Sequence, residues 1–284
     1  MPNESVPLFL APMAGVSDLA FRLLARECGA DLTITEFTAA AALTRKNAKS
    51  WHKVASDPRE KPFIPQIFGG DSDEMARCTE MLQGVADIID LNFGCPAPKV
   101  TRHCAGAALM GHPDELVEMV ERCIAVSGVP ITVKMRMGTG SGSDTVLEIA
   151  GRLEDVGAQR LCVHGRTLRQ RYTGEANWDV IRQVVEAVDI PVVANGDVID
   201  ARSAAACIEA NVSSPHSTLK HEKTDKVAQP ICHSKSEFSR DRMKGNQIKR
   251  IAIFLLVFSI CAVIVFLAVN LFYGLLGDLW TPAG

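Results

Sequence analysis

The sequence lacks the cysteine patterns that bind metals or form disulfide frameworks. Its nine cysteines are scattered, no two of them form a CxxC pair, and no group of Cys and His has the spacing of a zinc site. This distribution is typical of reduced thiols in a cytosolic protein, so no metal site and no disulfide-stapled secreted domain is predicted. The start of the chain, MPNESVPLFLAPM, also lacks the basic and long apolar regions of a signal peptide, and we expect no export of this part.

Charge is unevenly distributed along the chain. The formal net charge is −3, but residues 1–212 carry 21 Lys and Arg against 28 Asp and Glu, whereas residues 213–250 carry 9 against 4. With 284 residues, 47% of them hydrophobic, the chain can bury a sizeable core, and disorder of the whole chain is not expected. The asymmetry of charge predicts two differently built segments.

Short apolar runs alternate with amphipathic stretches between residues 7 and 210. The seven predicted strands are LFLAP (8–12), LTITEF (32–37), FIPQIF (63–68), IIDLNF (88–93), ITVKMR (131–136), RLCVHG (160–165) and PVVANG (191–196). Apolar strands separated by stretches with apolar residues three and four apart indicate βαβ units and a parallel sheet. Polar residues follow nearly every strand and no GxGxxG follows the first, so an α/β fold of the TIM (β/α)8 type is favoured over a doubly wound sheet.

The alternating pattern ends after the seventh βα unit. Ala201–Ala210 is the predicted helix after strand seven, and because no eighth strand is recognised we expect a barrel that is truncated there. Residues 211–250 are polar, basic and aperiodic, which predicts a disordered linker. Residues 251–277 carry no charge and are long enough to cross a bilayer, which predicts one transmembrane helix before a short tail at 278–284. Basic residues precede that helix, so we expect a cytoplasmic barrel anchored to a membrane.

Side chains that can carry chemistry lie at the strand ends, where barrels place their active sites. Cys95 stands between a glycine and a proline after the fourth strand, a tight turn that would present its thiol as a nucleophile or a proton donor. Taken by itself, Cys95 is better interpreted as an unreactive packed cysteine. The other polar or turn residues at strand ends are Met13, Gln66, Lys134, Arg136, His164, Arg166, Asn195, Gly196 and Asp197. One bound polar ligand explains this set better than separate structural roles, since a lone buried Lys is costly.

Several motifs resemble, in order and spacing, those of the tRNA-dihydrouridine synthase family. They are APMAGVSDLAFR, PQIFGGD, DLNFGCPAPKV with the later GAALM, ITVKMRMG, VHGRTLRQRYTGEANW and IPVVANGDV. The resemblance covers about residues 7–210, and the GCP-xx-KV and HGRT-xx-Q-x-Y-x-G motifs distinguish this family from other flavin barrels. No family is recognised in residues 211–284.

The resemblance implies an FMN enzyme that reduces uridine in tRNA to 5,6-dihydrouridine, with NADPH as the reductant. Cys95 would then be the general acid that protonates C5 of the uracil after a hydride reaches C6. The residues that would hold FMN are Pro12, Met13, Ala14, Gln66, Lys134, His164, Asn195, Gly196 and Asp197. Those that would contact the substrate are Asn92, Arg136 and Arg166. For Asn92 a strand-end cap is an equally good interpretation.

The end of the resemblance leaves other functions open. Family members have an eighth strand that completes the FMN phosphate site and a helical domain that grips tRNA, and neither is recognised here. Loss of both would weaken flavin binding, so an inactive enzyme is expected as one alternative. A non-catalytic, membrane-anchored barrel remnant or a chimeric, misjoined gene product is a second. A third is another flavin barrel, of the dihydroorotate-oxidase type, which would act on a free pyrimidine.

Overall fold

A computed structural model describes residues 6–142 and 145–212, and the structural statements below concern those residues. The strands are β1 (Phe9–Leu10), β2 (Leu32–Thr33), β3 (Thr38–Ala39), β4 (Gln66–Phe68), β5 (Ile89–Phe93), β6 (Ile131–Arg136), β7 (Arg160–His164) and β8 (Val192–Asn195). The helices are α1 (Leu19–Glu27), α2 (Ala40–Thr44), α3 (Ala48–Lys53), α4 (Ser72–Leu82), α5 (Pro98–Thr101), α6 (Pro113–Val126), α7 (Val146–Asp155), α8 (Trp178–Ala187) and α9 (Ala201–Val212), with a 3-10 helix at Gly106–Gly111.

The strands pair in parallel and in chain order, which confirms the prediction of an α/β fold with a parallel sheet. β1 pairs with β2, and β3 to β8 form a second sheet in sequence. The predicted strand at 32–37 is divided, because the Thr35 amide between β2 and β3 donates to the Ile64 carbonyl at 3.1 Å in an irregular stretch. This order is consistent with a TIM-type barrel, in which β2 and β3 together occupy the second strand position.

The first residues of α4 and α6 are typical of helix N-termini. The Asp71 carboxylate accepts the Glu74 amide at 2.8 Å to begin α4, and Pro113 begins α6, where a missing N–H costs little. Both helices are amphipathic, and α4 turns Met75 and Leu82 into the core. These helices therefore cover the outer face of the sheet, as βαβ connections require.

The two faces of the central strands differ in polarity. In β5, Ile89 and Leu91 point into the main hydrophobic core, and the alternating Asp90 and Asn92 point the other way and are also buried. The buried polar residues of the strands from β4 to β7 are Gln66, Asp90, Asn92, Thr132, Lys134, Arg136, Arg160 and His164. The sheet is thus apolar towards its helices and polar towards the barrel interior.

The predictions for the C-terminal part fall largely outside the described residues. This applies to the linker from 213 to 250, the transmembrane helix at 251–277 and the tail at 278–284, whereas residues 211 and 212 belong to α9. Within the described part of the chain, no helix is long and apolar enough to cross a membrane; α6, for example, has 14 residues. On this finding the prediction of a membrane-anchored location is corrected, and the membrane is not retained as a partner.

Candidate active site

Three of the predicted site residues are in direct contact at the end of β5. The Asn92 Nδ2 donates to Gln66 Oε1 at 2.8 Å, while Asn92 Oδ1 accepts the backbone N–H of Gly94 at 3.1 Å and of Cys95 at 2.9 Å. The Asn92 amide therefore caps the strand end and shapes the turn that carries the thiol. Its substrate contact stays a prediction.

The Cys95 thiol is buried in an environment that keeps it protonated. Burial raises the pKa of the Cys95 thiol, and this effect outweighs a hydrogen bond from the Ala97 backbone and the nearby cations, which lower the pKa. Those cations are Arg136, Lys99 and Lys134. A thiol with a raised pKa is a weak nucleophile at neutral pH, but it can donate a proton. The environment therefore favours an acid over a nucleophile.

The Lys134 ammonium is buried with a neutral partner. Its Nζ donates to Asn195 Oδ1 at 3.0 Å, which links the ends of β6 and β8. An ammonium has three donors, and one amide oxygen does not offset the desolvation of a positive charge. This position therefore suits a ligand that offers further acceptors or negative charge.

The His164 ring is neutral and its tautomer is determined by its neighbour. Burial lowers the pKa of His164 to about 3, with further contributions from nearby cations that include Lys134. Its Nε2 lies 3.4 Å from Arg166 Nη1, which can only donate, so Nε2 is an acceptor and Nδ1 carries the proton. Gly196 has a φ of +112°, and a Cβ there would lie 3.0 Å from His164 Cδ2. A glycine is therefore needed beside this ring.

Arg136 and Arg166 hold the loop that follows β7. Arg136 donates to the backbone carbonyls of Gly94, Thr167 and Arg171 at 2.7–3.0 Å. Arg166 donates to the Thr173 and Gly174 carbonyls at 3.2 and 2.7 Å. The predicted substrate contacts of the two arginines stay predictions, whereas their structural contacts fix the loop across the top of the barrel.

The Asp197 carboxylate is also engaged with this loop. It forms an ion pair with Arg166 at 2.8 Å and accepts the Ala176 amide at 2.6 Å. The Arg166 guanidinium and the Ala176 N–H lower the pKa of Asp197 despite its desolvation. An ionised Asp197 side chain would repel a phosphate, so a phosphate contact at Asp197 would have to use its backbone.

Two residues that the sequence analysis did not single out shape the loop at residues 12–14. The Ser17 hydroxyl accepts the Met13 amide at 2.9 Å and donates to the Met13 carbonyl at 3.1 Å. The Glu36 carboxylate, in the stretch between β2 and β3, accepts the Gly15 amide at 2.6 Å. These contacts tie the loop after β1 to that stretch. The burial of Glu36 could have been suspected from its place inside the predicted strand LTITEF.

The fold is a parallel α/β fold consistent with a barrel, and polar side chains gather at its strand ends. The dihydrouridine synthase (Dus) family model matches residues 9–213, and the chain belongs to this family. The probable tRNA-dihydrouridine synthase of Rhodobacter capsulatus is 40% identical over 205 residues, which are 72% of this chain and 63% of that protein. The tRNA-dihydrouridine synthase B of Pasteurella multocida is 39% identical over 198 residues, 69% of this chain and 60% of that protein.

The chain thus matches less than two thirds of the length of these relatives. Among solved structures, the nitroalkane oxidase of Streptomyces ansochromogenes aligns with a TM-score of 0.42 and 18% identity, over 72% of this chain and 63% of that chain. A similarity at this level bears on neither fold nor function.

Proposed function

We propose that this protein is a flavin-dependent oxidoreductase that reduces uridine in tRNA to 5,6-dihydrouridine, with FMN as its cofactor and NADPH as the reductant. The observation that carries the proposal is the buried Cys95 thiol, which is kept protonated and is positioned by Asn92 at the strand ends where the Lys134 ammonium lies. Membership of the Dus family and the names of its relatives support the same reaction.

The side chains at the strand ends fit a flavin. Lys134 is a buried ammonium with donors to spare, and the His164 Nδ1–H and the Gln66 amide add hydrogen-bonding groups for a ring system rich in carbonyls and nitrogens. Gly196 leaves space beside the Cδ2 and Nε2 atoms of the His164 ring, which a Cβ would crowd. The residues assigned to FMN are Pro12, Met13, Ala14, Gln66, Lys134, His164, Asn195, Gly196 and Asp197.

In this mechanism the protein supplies a proton and stabilises the charge that its loss creates. When bound, reduced FMN provides a hydride for C6 of the uracil ring. The negative charge that develops at C5 is neutralised by the proton of the Cys95 Sγ–H, which a carboxylic acid of ordinary pKa would already have lost at neutral pH. The thiolate left on Cys95 is stabilised by the three cations that lower its pKa.

The first test is the visible absorption spectrum of the purified full-length protein. We expect a flavin band that NADPH bleaches, and dihydrouridine in an unmodified tRNA transcript after incubation with both. Cys95→Ala should keep the flavin band and abolish dihydrouridine formation. The matched control is Cys104→Ser, which alters an exposed thiol of the same region and should keep the activity. A folded protein without flavin, or an active Cys95→Ala variant, would contradict the proposal.

A further inference from the structure

A row of polar side chains crosses the barrel interior beneath the candidate active site. The strand register places Gln66 beside Asp90, Asp90 beside Thr132 and Thr132 beside Arg160, and all four side chains are buried. Asp90 and Thr132 stand two residues before Asn92 and Lys134 on their strands. Barrel interiors are ordinarily filled with branched apolar side chains, so a row of this kind needs a reason.

Asp90 lies at the centre of the hydrogen bonds in this row. Its Oδ2 accepts Gln66 Nε2 at 2.6 Å, and its Oδ1 accepts the Thr132 hydroxyl. The Arg160 guanidinium reaches Thr132 Oγ1 at 3.5 Å. The Asp90 side chain is 1% exposed, so its acceptors are satisfied by the protein rather than by bulk water.

The hydrogen bonds from Asp90 to Cys95 have one polarity. A carboxylate offers only acceptors, so Gln66 must turn its NH2 group to Asp90 and its Oε1 to Asn92. Asn92 must then donate through Nδ2, which leaves its Oδ1 for the Cys95 amide. The backbone N–H groups of Gly94 and Cys95 fix the Asn92 amide at one end of this chain of hydrogen bonds, and Asp90 fixes the Nε2 of Gln66 at the other end.

We propose that Asp90 is a positioning residue that anchors the Gln66 amide, with its Nε2 on the Asp90 carboxylate and its Oε1 directed at Asn92. The proposal rests on the proposed function, in which Gln66 serves the flavin and Asn92 the substrate. A flipped Gln66 would turn its NH2 group to the Asn92 Nδ2 and its Oε1 to the Asp90 carboxylate, so both hydrogen bonds would be lost. A carboxylate suits this position because it has only acceptors, so it can bond the NH2 group of Gln66 but not its Oε1.

Two variants separate positioning from simple charge balance. Asp90→Asn removes the charge but keeps an acceptor for Gln66, since its own NH2 can face the Thr132 hydroxyl, which is able to accept. Asp90→Ala removes both the charge and the acceptor. If Asp90 is a positioning residue, Asp90→Asn should keep most of the Gln66 amide order and FMN affinity that Asp90→Ala loses. If Asp90 only neutralises the charge of Arg160 or Lys134, the two variants should lose the same amount of Gln66 amide order and FMN affinity.

The first experiment reads the amides directly and needs no flavin. In NMR spectra of the full-length protein with 15N-labelled Gln and Asn side chains, we expect one Gln66 amide proton far downfield and slow to exchange. Asp90→Asn should shift it moderately, and Asp90→Ala should return it to the range of free amides. Thr132→Val, which removes only the other partner of Asp90, should leave it in place. A Gln66 amide that exchanges freely in the unmodified protein overturns the proposal.

The second experiment measures coupling through FMN affinity. Loss of one hydrogen bond to a charged group predicts a Kd for FMN raised about tenfold in Asp90→Ala and less than about threefold in Asp90→Asn. In a Gln66→Met background, Asp90→Ala should weaken binding no further, because the effect passes through Gln66. Equal losses in the two variants, or an undiminished loss in that background, overturn the proposal.

The two experiments also distinguish a failure of this inference from a failure of the proposed function. If the unmodified protein binds no FMN, the proposed function fails, and the amide spectra alone decide the role of Asp90. If Asp90→Ala does not fold, the spectra of the unmodified protein and of Asp90→Asn decide it.

Discussion

Replacement of Glu60 by alanine is expected to destabilise the barrel strongly, because Glu60 is the counterion of a fully buried arginine. The Arg22 and Glu60 side chains are both 0% exposed, and they form a bidentate pair with N–O distances of 2.5 and 2.9 Å. The Thr33 hydroxyl adds a third bond to Glu60 at 2.8 Å. Without the carboxylate, the guanidinium keeps only its bonds to two backbone carbonyls.

The expected loss follows from the cost of an unpaired buried charge. Removing one partner of such a pair destabilises a protein by about 3–5 kcal/mol. For a domain of this size, each kcal/mol lowers Tm by about 2–4 °C, so the melting temperature should fall by roughly 6–20 °C. Thermal unfolding followed by circular dichroism on the full-length protein measures this fall.

An exposed ion pair provides the matched control. Asp114 pairs with Arg152 at 2.7 Å, but the Asp114 side chain is 93% exposed, so Asp114→Ala should cost less than about 1 kcal/mol. The double variant Arg22→Met/Glu60→Leu should recover much of the loss, since it removes the buried charge altogether. Equal and small shifts for Glu60→Ala and Asp114→Ala would refute the reasoning.

Three further predictions concern the ionisable groups of the candidate site. Because burial raises the pKa of Cys95 above its ordinary 9.0, iodoacetamide should modify it much more slowly at pH 7 than the exposed Cys104, as peptide mass spectrometry would show. The pKa of His164 is lowered from 6.5 to about 3, so between these pH values the unfolded chain binds a proton at His164 and the folded chain does not. Stability should therefore fall as the pH drops from 6.5 towards 3, and His164→Asn should flatten that fall in urea titrations. Lys134→Met should raise the pKa of His164, followed by NMR, since the Lys134 charge lowers it, and should weaken FMN binding about tenfold or more.

The central strands were the most predictable part of the fold. ITVKMR at 131–136 coincides with β6, because every one of its residues is buried and its apolar run is bounded by a turn. The first two predicted strands, 8–12 and 32–37, shrink to Phe9–Leu10 and Leu32–Thr33. An apolar run indicates that a segment is buried, but a strand also needs an adjacent strand with which to exchange backbone hydrogen bonds. At Thr35 the amide pairs with Ile64 in an irregular stretch, which hydrophobicity does not reveal.

Charged residues in the interior were predictable only where the surrounding run was apolar. Lys134 was noticed for this reason, and Asp90 carries the same signal in IIDLNF, yet the sequence analysis treated it as part of an apolar strand. Glu60 carries no such signal, since it stands in a polar stretch, SDPREKP, and its partner Arg22 lies 38 residues earlier. The contacts of Arg136 were equally hidden, because backbone carbonyls leave no trace in a sequence. An arginine in a ligand-binding motif can therefore be a support for the loop above it, which only the folded structure reveals.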